Sequence, residues 1–247
     1  MWLKSPVVEL DKRGKQKVTK PGAGTPQGGI ISPLLANIYL HELDRAFHGE
    51  RGPHKWAKAR LVRYADDFVI MSRYVDKRIT NWVEKRLSEL GLTVNREKTK
   101  IVRVKKAGGS LDFLGFTVRY HRDQNGGDWK YLHTEPAKKS IQRVMAEVRQ
   151  KTSSSYKKKL SYVVDEVSTQ LQSWAGYYRY GNPSRQFSKL NYYVQIRFRS
   201  FLRSRSQRRC KPFREGESLY RGLQRYGMKY LSSSPKPKMR LPVHAGG

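Results

Sequence analysis

Two aspartates, Asp66 and Asp67, stand side by side within Leu61-Val62-Arg63-Tyr64-Ala65-Asp66-Asp67-Phe68-Val69-Ile70-Met71, at the junction of two apolar, β-rich runs. The pattern predicts a hairpin that lifts both carboxylates clear of its strands. Aspartate is disfavoured inside strands, and adjacent like charges repel, so a site that keeps such a pair supplies a cation in compensation. Divalent magnesium, which takes hard oxygen ligands and leaves positions open for phosphate oxygens, is the natural one. A bare Asp-Asp is also an ordinary turn sequence. The remainder of the chain decides between the two.

The 247 residues can bury one large core or two small ones. Lysine and arginine number 51 against 20 aspartates and glutamates, a formal charge of +31. Such self-repulsion is best relieved by a polyanion, and nucleic acid is the usual one. Divided at Asp128, the chain carries 25 basic against 14 acidic residues before the cut and 26 against 6 after it, so the second half is the more dedicated polyanion binder. One cysteine, Cys210, excludes an intramolecular disulfide and a cysteine-rich zinc site. The six histidines show no paired metal-ligand spacing. No apolar run approaches the ~20 residues of a membrane span and no signal-peptide pattern opens the chain, so an intracellular soluble protein is expected.

The elements that must position the aspartates follow in order. Trp2 to Leu10 is expected as a strand, with a charged turn at Asp11 to Lys15 and a polar return. The Gly22-Ala23-Gly24-Thr25-Pro26-Gln27-Gly28-Gly29 loop allows close backbone approach. Behind it, Ser32 is expected to cap a helix entered at Pro33, with Leu34, Leu35, Ile38, Tyr39, Leu43 and Phe47 on its apolar face. Gly49 to Lys58 is a polar turn. Past the hairpin, a helix is predicted over Asp76 to Leu90, closed at Gly91. Strands are expected at Leu92 to Asn95 and Lys100 to Val104, around the turn Arg96-Glu97-Lys98-Thr99. Leu111 to Val118 and Trp129 to Leu132 are expected as two paired strands across the turn Asp123 to Gly127. Helices alternating with antiparallel strands make an α+β domain.

Beyond Pro136 the pattern is helical. Helices are predicted over Lys138 to Lys151, Leu160 to Tyr178 and Ser184 to about Arg205, the last capped by Asn182 and entered at Pro183, with a further one over Leu219 to Leu231. Arg197, Arg199, Arg203, Arg205, Arg208, Arg209 and Lys211 recur with Tyr192, Tyr193, Phe198 and Phe201 interleaved. The mixture suits RNA, with aromatic faces for unpaired bases and guanidinium groups for phosphates. An aromatic core stripe beneath a solvated basic face would give the same spacing. The expected organisation is residues 1–135, residues 136–231 and a disordered tail at 232–247.

Pro26-Gln27-Gly28, Tyr64-Ala65-Asp66-Asp67, Asn95-Arg96-Glu97-Lys98-Thr99 and Phe113-Leu114-Gly115-Phe116, in that order, resemble the later palm motifs of reverse transcriptases of the group II intron-encoded type. The basic segment from about Lys138 to Arg209, with Trp174-Ala175-Gly176-Tyr177-Tyr178, resembles their thumb or maturase domain. The resemblance implies an antiparallel-sheet polymerase palm followed by an all-helical thumb. It implies that Asp66 and Asp67 hold two magnesium ions, and that Lys98 sits near the departing pyrophosphate. Gln27, Gly28, Tyr64 and Ala65 would lie at the template base and incoming nucleotide, Leu114-Gly115 would form the primer grip, and Arg197, Arg199, Arg203, Arg205, Arg208 and Arg209 would hold RNA.

The same resemblance implies partners: intron or template RNA, a DNA primer and deoxynucleoside triphosphates, in a bacterial or organellar setting without a membrane. One departure stands out. The family's upstream metal-binding aspartate and its fingers domain have no counterpart here, and the only earlier aspartates are Asp11 and Asp44. A metal shell one carboxylate short is expected to make the chain an incomplete catalyst by itself, either completed by a fingers-containing chain or the remnant of a longer gene, with self-association through uncovered palm surface also expected. The alternative is a non-catalytic, RNA-binding maturase that assists intron splicing.

Overall fold

A computed structural model describes residues 7–10, 16–19, 31–74, 76–122, 130–205 and 213–232. The glycine loop with Gln27 and Gly28, Cys210, Arg208, Arg209 and nearly all of the 232–247 tail lie outside them. The chain is α+β and divides into two compact units, residues 1–101 and 102–247.

In the first unit, β1 (Val7–Leu10) pairs antiparallel with β2 (Gln16–Thr19). Helix α1 (Ser32–His48) has Pro33 in its first turn, but Ile31 occupies the cap position and no side chain caps it, so the expected Ser32 cap is corrected. Its apolar stripe is only half used: Leu43 and Phe47 are buried, whereas Leu34 and Ile38 are 58% and 61% exposed. A short α2 (Pro53–Trp56) interrupts the polar turn read there. It follows Gly52, where a Cβ would lie 2.2 Å from the Phe47 carbonyl oxygen. The hairpin β3 (Arg60–Tyr64) and β4 (Asp67–Met71) comes next.

Helix α3 (Lys77–Glu89) is capped by the Asp76 carboxylate, which accepts from the Ile79 amide at 3.1 Å, and closes at Gly91 with φ +67°. Leu43, Val83 and Leu87 form the core, with Phe68 and Ile70 of β4 packed against it. That contact seats the hairpin on the helices. The strands expected at 92–95 and 100–104 are irregular instead. Leu92 and Val94 turn into the core, and the turn expected over Arg96 to Thr99 is present, with the Asn95 side-chain oxygen accepting from the Glu97 and Lys98 amides.

In the second unit, β5 (Ser110–Phe113), β6 (Phe116–Arg122) and β7 (Lys130–Pro136) form an antiparallel sheet in that order. The single strand expected over Leu111 to Val118 is therefore two, folded at Leu114-Gly115, where φ is +48° and +77°. Consecutive left-handed residues reverse a chain tightly, whatever the apolar pattern on either side. Helices α4 (Lys138–Lys151) and α5 (Leu160–Tyr178) have the expected bounds, α6 runs over Ser184–Ser204, and α7 (Leu219–Arg225) is shorter than expected.

Val144, Val148, Val163, Val167, Leu171, Leu190, Val194 and Phe198 lead the shared helical core. Asn182 does not cap α6: its amide donates to the Thr134 carbonyl at 2.5 Å and its side-chain oxygen faces the Thr134 amide, which ties the helix entry to β7. The packing boundary at 101/102 thus differs from the compositional one at 135/136, because the three-stranded sheet is bonded to the helices that follow it.

Candidate functional site

The aspartate turn is built from its neighbours outward. Tyr64 pairs with Asp67, which leaves Ala65 and Asp66 as the two-residue connection, and Ala65 adopts φ +53°. A left-handed alanine costs about 1–2 kcal/mol relative to an ordinary conformation, so something must hold it. Arg63 does. Its guanidinium donates to the Ala65 carbonyl at 2.8 Å, to Asn37 Oδ1 at 2.8 Å, and to both oxygens of Asp44, the shortest at 2.6 Å. The Arg63 side chain is 12% exposed and that of Asp44 24%. The Asp44 carboxylate raises the Arg63 pKa above its ordinary value, chiefly through the hydrogen bond and against the cost of burial. One arginine thus bolts the turn to α1, and neither Arg63 nor Asp44 stood out in the sequence.

Asp66 and Asp67 themselves are exposed, and among the described residues neither is paired with a lysine, arginine or histidine. In a chain of net charge +31, two neighbouring carboxylates with no cationic partner among the described residues have the charge to attract a cation from outside. The donors fit magnesium in kind, being hard carboxylate oxygens, but among the described residues no group of three or more metal-binding side chains forms. The turn presents two carboxylates. Asp44 cannot join them while Arg63 holds it. Tyr64 is 66% exposed beside the turn, and Lys98 is exposed on the Asn95 turn of the same unit.

The Leu114-Gly115 turn belongs to the second unit and is held from the helices. The Leu114 carbonyl accepts from the Tyr177 hydroxyl at 2.9 Å, and the Gly115 carbonyl from the Ala137 amide at 2.8 Å. Tyr178 packs against Phe116 and meets Ser140 Oγ at 2.6 Å, which in turn accepts from Trp174 Nε1 at 3.1 Å. A Cβ at Gly115 would stand 2.6 Å from the Tyr178 hydroxyl. The Trp174 to Tyr178 motif is thereby the mount of this turn, a relation that spans 63 residues and carries no local signal.

The basic helix resolves into two faces. Phe198 and Phe201 are core residues and Tyr193 packs against the core, while Tyr192 is 67% exposed. Arg197 donates to the Thr152 hydroxyl and carbonyl, closing the end of α4, and Arg205 donates to the Lys158 carbonyl. Arg199 and Arg203 are exposed, in line with Arg185, Lys189, Tyr192 and Ile196 along one stripe of α6.

The histidines also converge more than their spacing suggested. The His48 and His54 rings lie 5.4 Å apart, and those of His121 and His133 4.5 Å apart. Beside the latter pair, Arg119 and His133 both face Glu135. His133 titrates below its ordinary range, first because it is buried and then because His121 is near.

Comparison with known proteins bears on both units. The reverse transcriptase (RNA-dependent DNA polymerase) family matches residues 2–118, and the group II intron, maturase-specific domain matches residues 141–217. The group II intron-encoded protein LtrA of Lactococcus lactis subsp. cremoris is 29% identical over 42% of this chain and 27% of its own length. Protein YkfC of Escherichia coli is 29% identical over 47% of this chain and 38% of its own. The retron Mx65 reverse transcriptase of Myxococcus xanthus is 35% identical over 37% of this chain and 21% of its own. The chain thus spans about a fifth to two fifths of the curated relatives it matches. A reverse-transcriptase region followed, in the same order, by a maturase-specific region places the chain in the family of group II intron-encoded reverse transcriptases and maturases.

Proposed function

We propose that the chain contributes the palm and thumb of an RNA-directed DNA polymerase, adding deoxynucleotides to a primer 3′ end on an RNA template with release of pyrophosphate. The observation that carries this reading is the aspartate turn: two exposed carboxylates with no cationic partner among the described residues, on a left-handed backbone bolted by Arg63. Asp66 and Asp67 would hold magnesium, as polymerases of this family generally do. Magnesium, when bound, favours ionisation of the primer hydroxyl and neutralises charge on the triphosphate.

The chain's own residues fix the turn, offer the Leu114-Gly115 grip for the primer end, and supply phosphate-binding cations along α6. Lys98 has the charge to stabilise the leaving pyrophosphate. Gln27, Gly28, Tyr64 and Ala65 are assigned to template and nucleotide contact. The palm is assigned to residues 1–135, the helical thumb to 136–231 and a tail to 232–247. With two carboxylates at the turn and Asp44 committed to Arg63, full polymerisation is assigned to a form in which a fingers segment, of this protein or of a second chain, supplies a further carboxylate.

Primer extension on an RNA template with magnesium, with and without an added fingers fragment, tests the proposal. Product that disappears in Asp66→Asn plus Asp67→Asn is the expected result, and product that survives both substitutions overturns the metal role. A second reading, RNA binding in splicing without synthesis, is favoured by the exposed α6 stripe and by the maturase-specific match, and needs no carboxylates. It predicts intron RNA affinity that falls steeply with salt, exceeds that for random RNA and is indifferent to Asp66 and Asp67. Equal affinity for random RNA, or a flat salt response, overturns it.

A further inference from the structure

The hydrogen bonding of the Leu114-Gly115 turn is one-sided. Both of its carbonyls are occupied, that of Leu114 by the Tyr177 hydroxyl and that of Gly115 by the Ala137 amide. Among the described residues neither the Leu114 nor the Gly115 amide finds an acceptor. Leu114 and Gly115, with φ +48° and +77°, sit in a tight turn, a conformation whose successive N–H groups can bind an anion. The turn therefore offers donors and withholds acceptors, a polarity that suits a phosphodiester and repels nothing on it.

Of the two carbonyl clamps, the Ala137 amide is backbone and comes with the chain path. The Tyr177 hydroxyl is a side-chain choice made 63 residues away in sequence. Tyr177 is itself 52% exposed, with its ring against Phe116 at 5.3 Å and Tyr178 at 4.9 Å, and its hydroxyl reaches past them to the Leu114 carbonyl. Its neighbour Tyr178 is the buried one of the two, packed against Phe116 and Trp174.

We infer that Tyr177 is a positioning residue for the grip: by taking the Leu114 carbonyl it fixes the turn so that only its two amides face the primer's terminal phosphodiester. The inference rests on the primer-grip reading of Leu114-Gly115. It also links the two functional faces of this unit, since α5 carries Tyr177 and packs in one core with α6.

The test compares the full chain with its Tyr177→Phe variant, which keeps the ring and loses the hydroxyl. Two duplexes with a recessed primer are used, one native and one with neutral methylphosphonates at the last two primer linkages, and binding is followed by fluorescence anisotropy. The wild type is expected to prefer the native duplex by about tenfold or more, the loss expected when a charge-assisted hydrogen bond is removed. Tyr177→Phe is expected to lose that preference while binding the neutral duplex as before and melting at the same temperature.

Amide hydrogen exchange of the 111–117 peptide without nucleic acid provides the second measurement, and it should accelerate in the variant. Unchanged exchange together with a retained preference overturns the positioning role. Accelerated exchange in a protein whose wild type shows no preference between duplexes overturns the grip reading and, with it, the assigned purpose of Tyr177, while leaving the clamp itself demonstrated.

Discussion

Replacing Arg63 by alanine should loosen the aspartate turn more than any other single change in the first unit. The variant leaves the Asp44 carboxylate, 24% exposed, without its counter-ion, and leaves the Ala65 carbonyl without its donor. Breaking a fully buried ion pair costs about 3–5 kcal/mol, and partial solvation of Asp44 reduces this to about 2–3 kcal/mol. The lost carbonyl hydrogen bond adds about 1 kcal/mol. A total of about 3–4 kcal/mol, at an m value of about 1.5 kcal/mol per molar urea, moves the unfolding midpoint of the unit down by about 2 M. Hydrogen exchange with mass spectrometry on peptides covering 60–71, run across a urea series, isolates this unit from the helical one. Arg63→Lys should cost less, about 1–2 kcal/mol, because it keeps the charge and loses the fork. Adding Asp44→Asn to Arg63→Ala should recover at least about 1 kcal/mol by removing the orphaned charge. An Arg63→Ala midpoint within about 0.3 M of wild type, or no recovery from Asp44→Asn, would refute the bolt.

Three further outcomes follow from the geometry. Gly115→Ala forces a left-handed alanine against the fixed Tyr178 hydroxyl and should destabilise the second unit by about 2–3 kcal/mol in chemical unfolding, with no loss meaning that the turn relaxes freely. Because burial and His121 hold His133 below its unfolded pKa, its contribution is complete above about pH 6.5 and declines as pH falls through the window beneath. The urea midpoint of the second unit should therefore drop between pH 7.5 and 5.5, and the drop should shrink in His133→Asn. Alanine at Arg185, Lys189, Arg199 and Arg203 together should flatten the log affinity against log salt slope for duplex by about 3.6, near 0.9 per lost phosphate contact, and an unchanged slope would remove α6 from the interface.

What the sequence disclosed depended on range. The bounds of α4 and α5 follow from an apolar period of 3.6 that agrees with the packing, since Val144, Val148, Val163, Val167 and Leu171 all reach the core. The aspartate turn was equally legible, because adjacency of Asp66 and Asp67 is itself the signal. Long-range commitments were not. Asn182 has the composition of a cap and is spent on Thr134, and Arg197 has the look of an RNA contact and closes α4 through Thr152.

The turn after Asn95 was legible but the strands expected on either side of it do not form, and at Leu114-Gly115 left-handed backbone divides one expected strand into two. The alternation of arginines and aromatics on α6 was ambiguous because core and surface share one period; burial assigns Phe198 and Phe201 inward and leaves Arg199 and Arg203 facing water. Arg63, Asp44 and Tyr177 are ordinary residues in the sequence, and only the fold gives them partners 19 and 63 residues away.

Asp66 and Asp67 are proposed to hold a divalent cation. Fe2+ substituted for magnesium, with ascorbate and peroxide, cuts backbone beside the place it binds. Cleavage confined to the 64–68 turn, suppressed by excess magnesium and abolished in Asp66→Asn plus Asp67→Asn, is the predicted result. Cleavage scattered over the chain, or a turn cut that persists in the double variant, would contradict it.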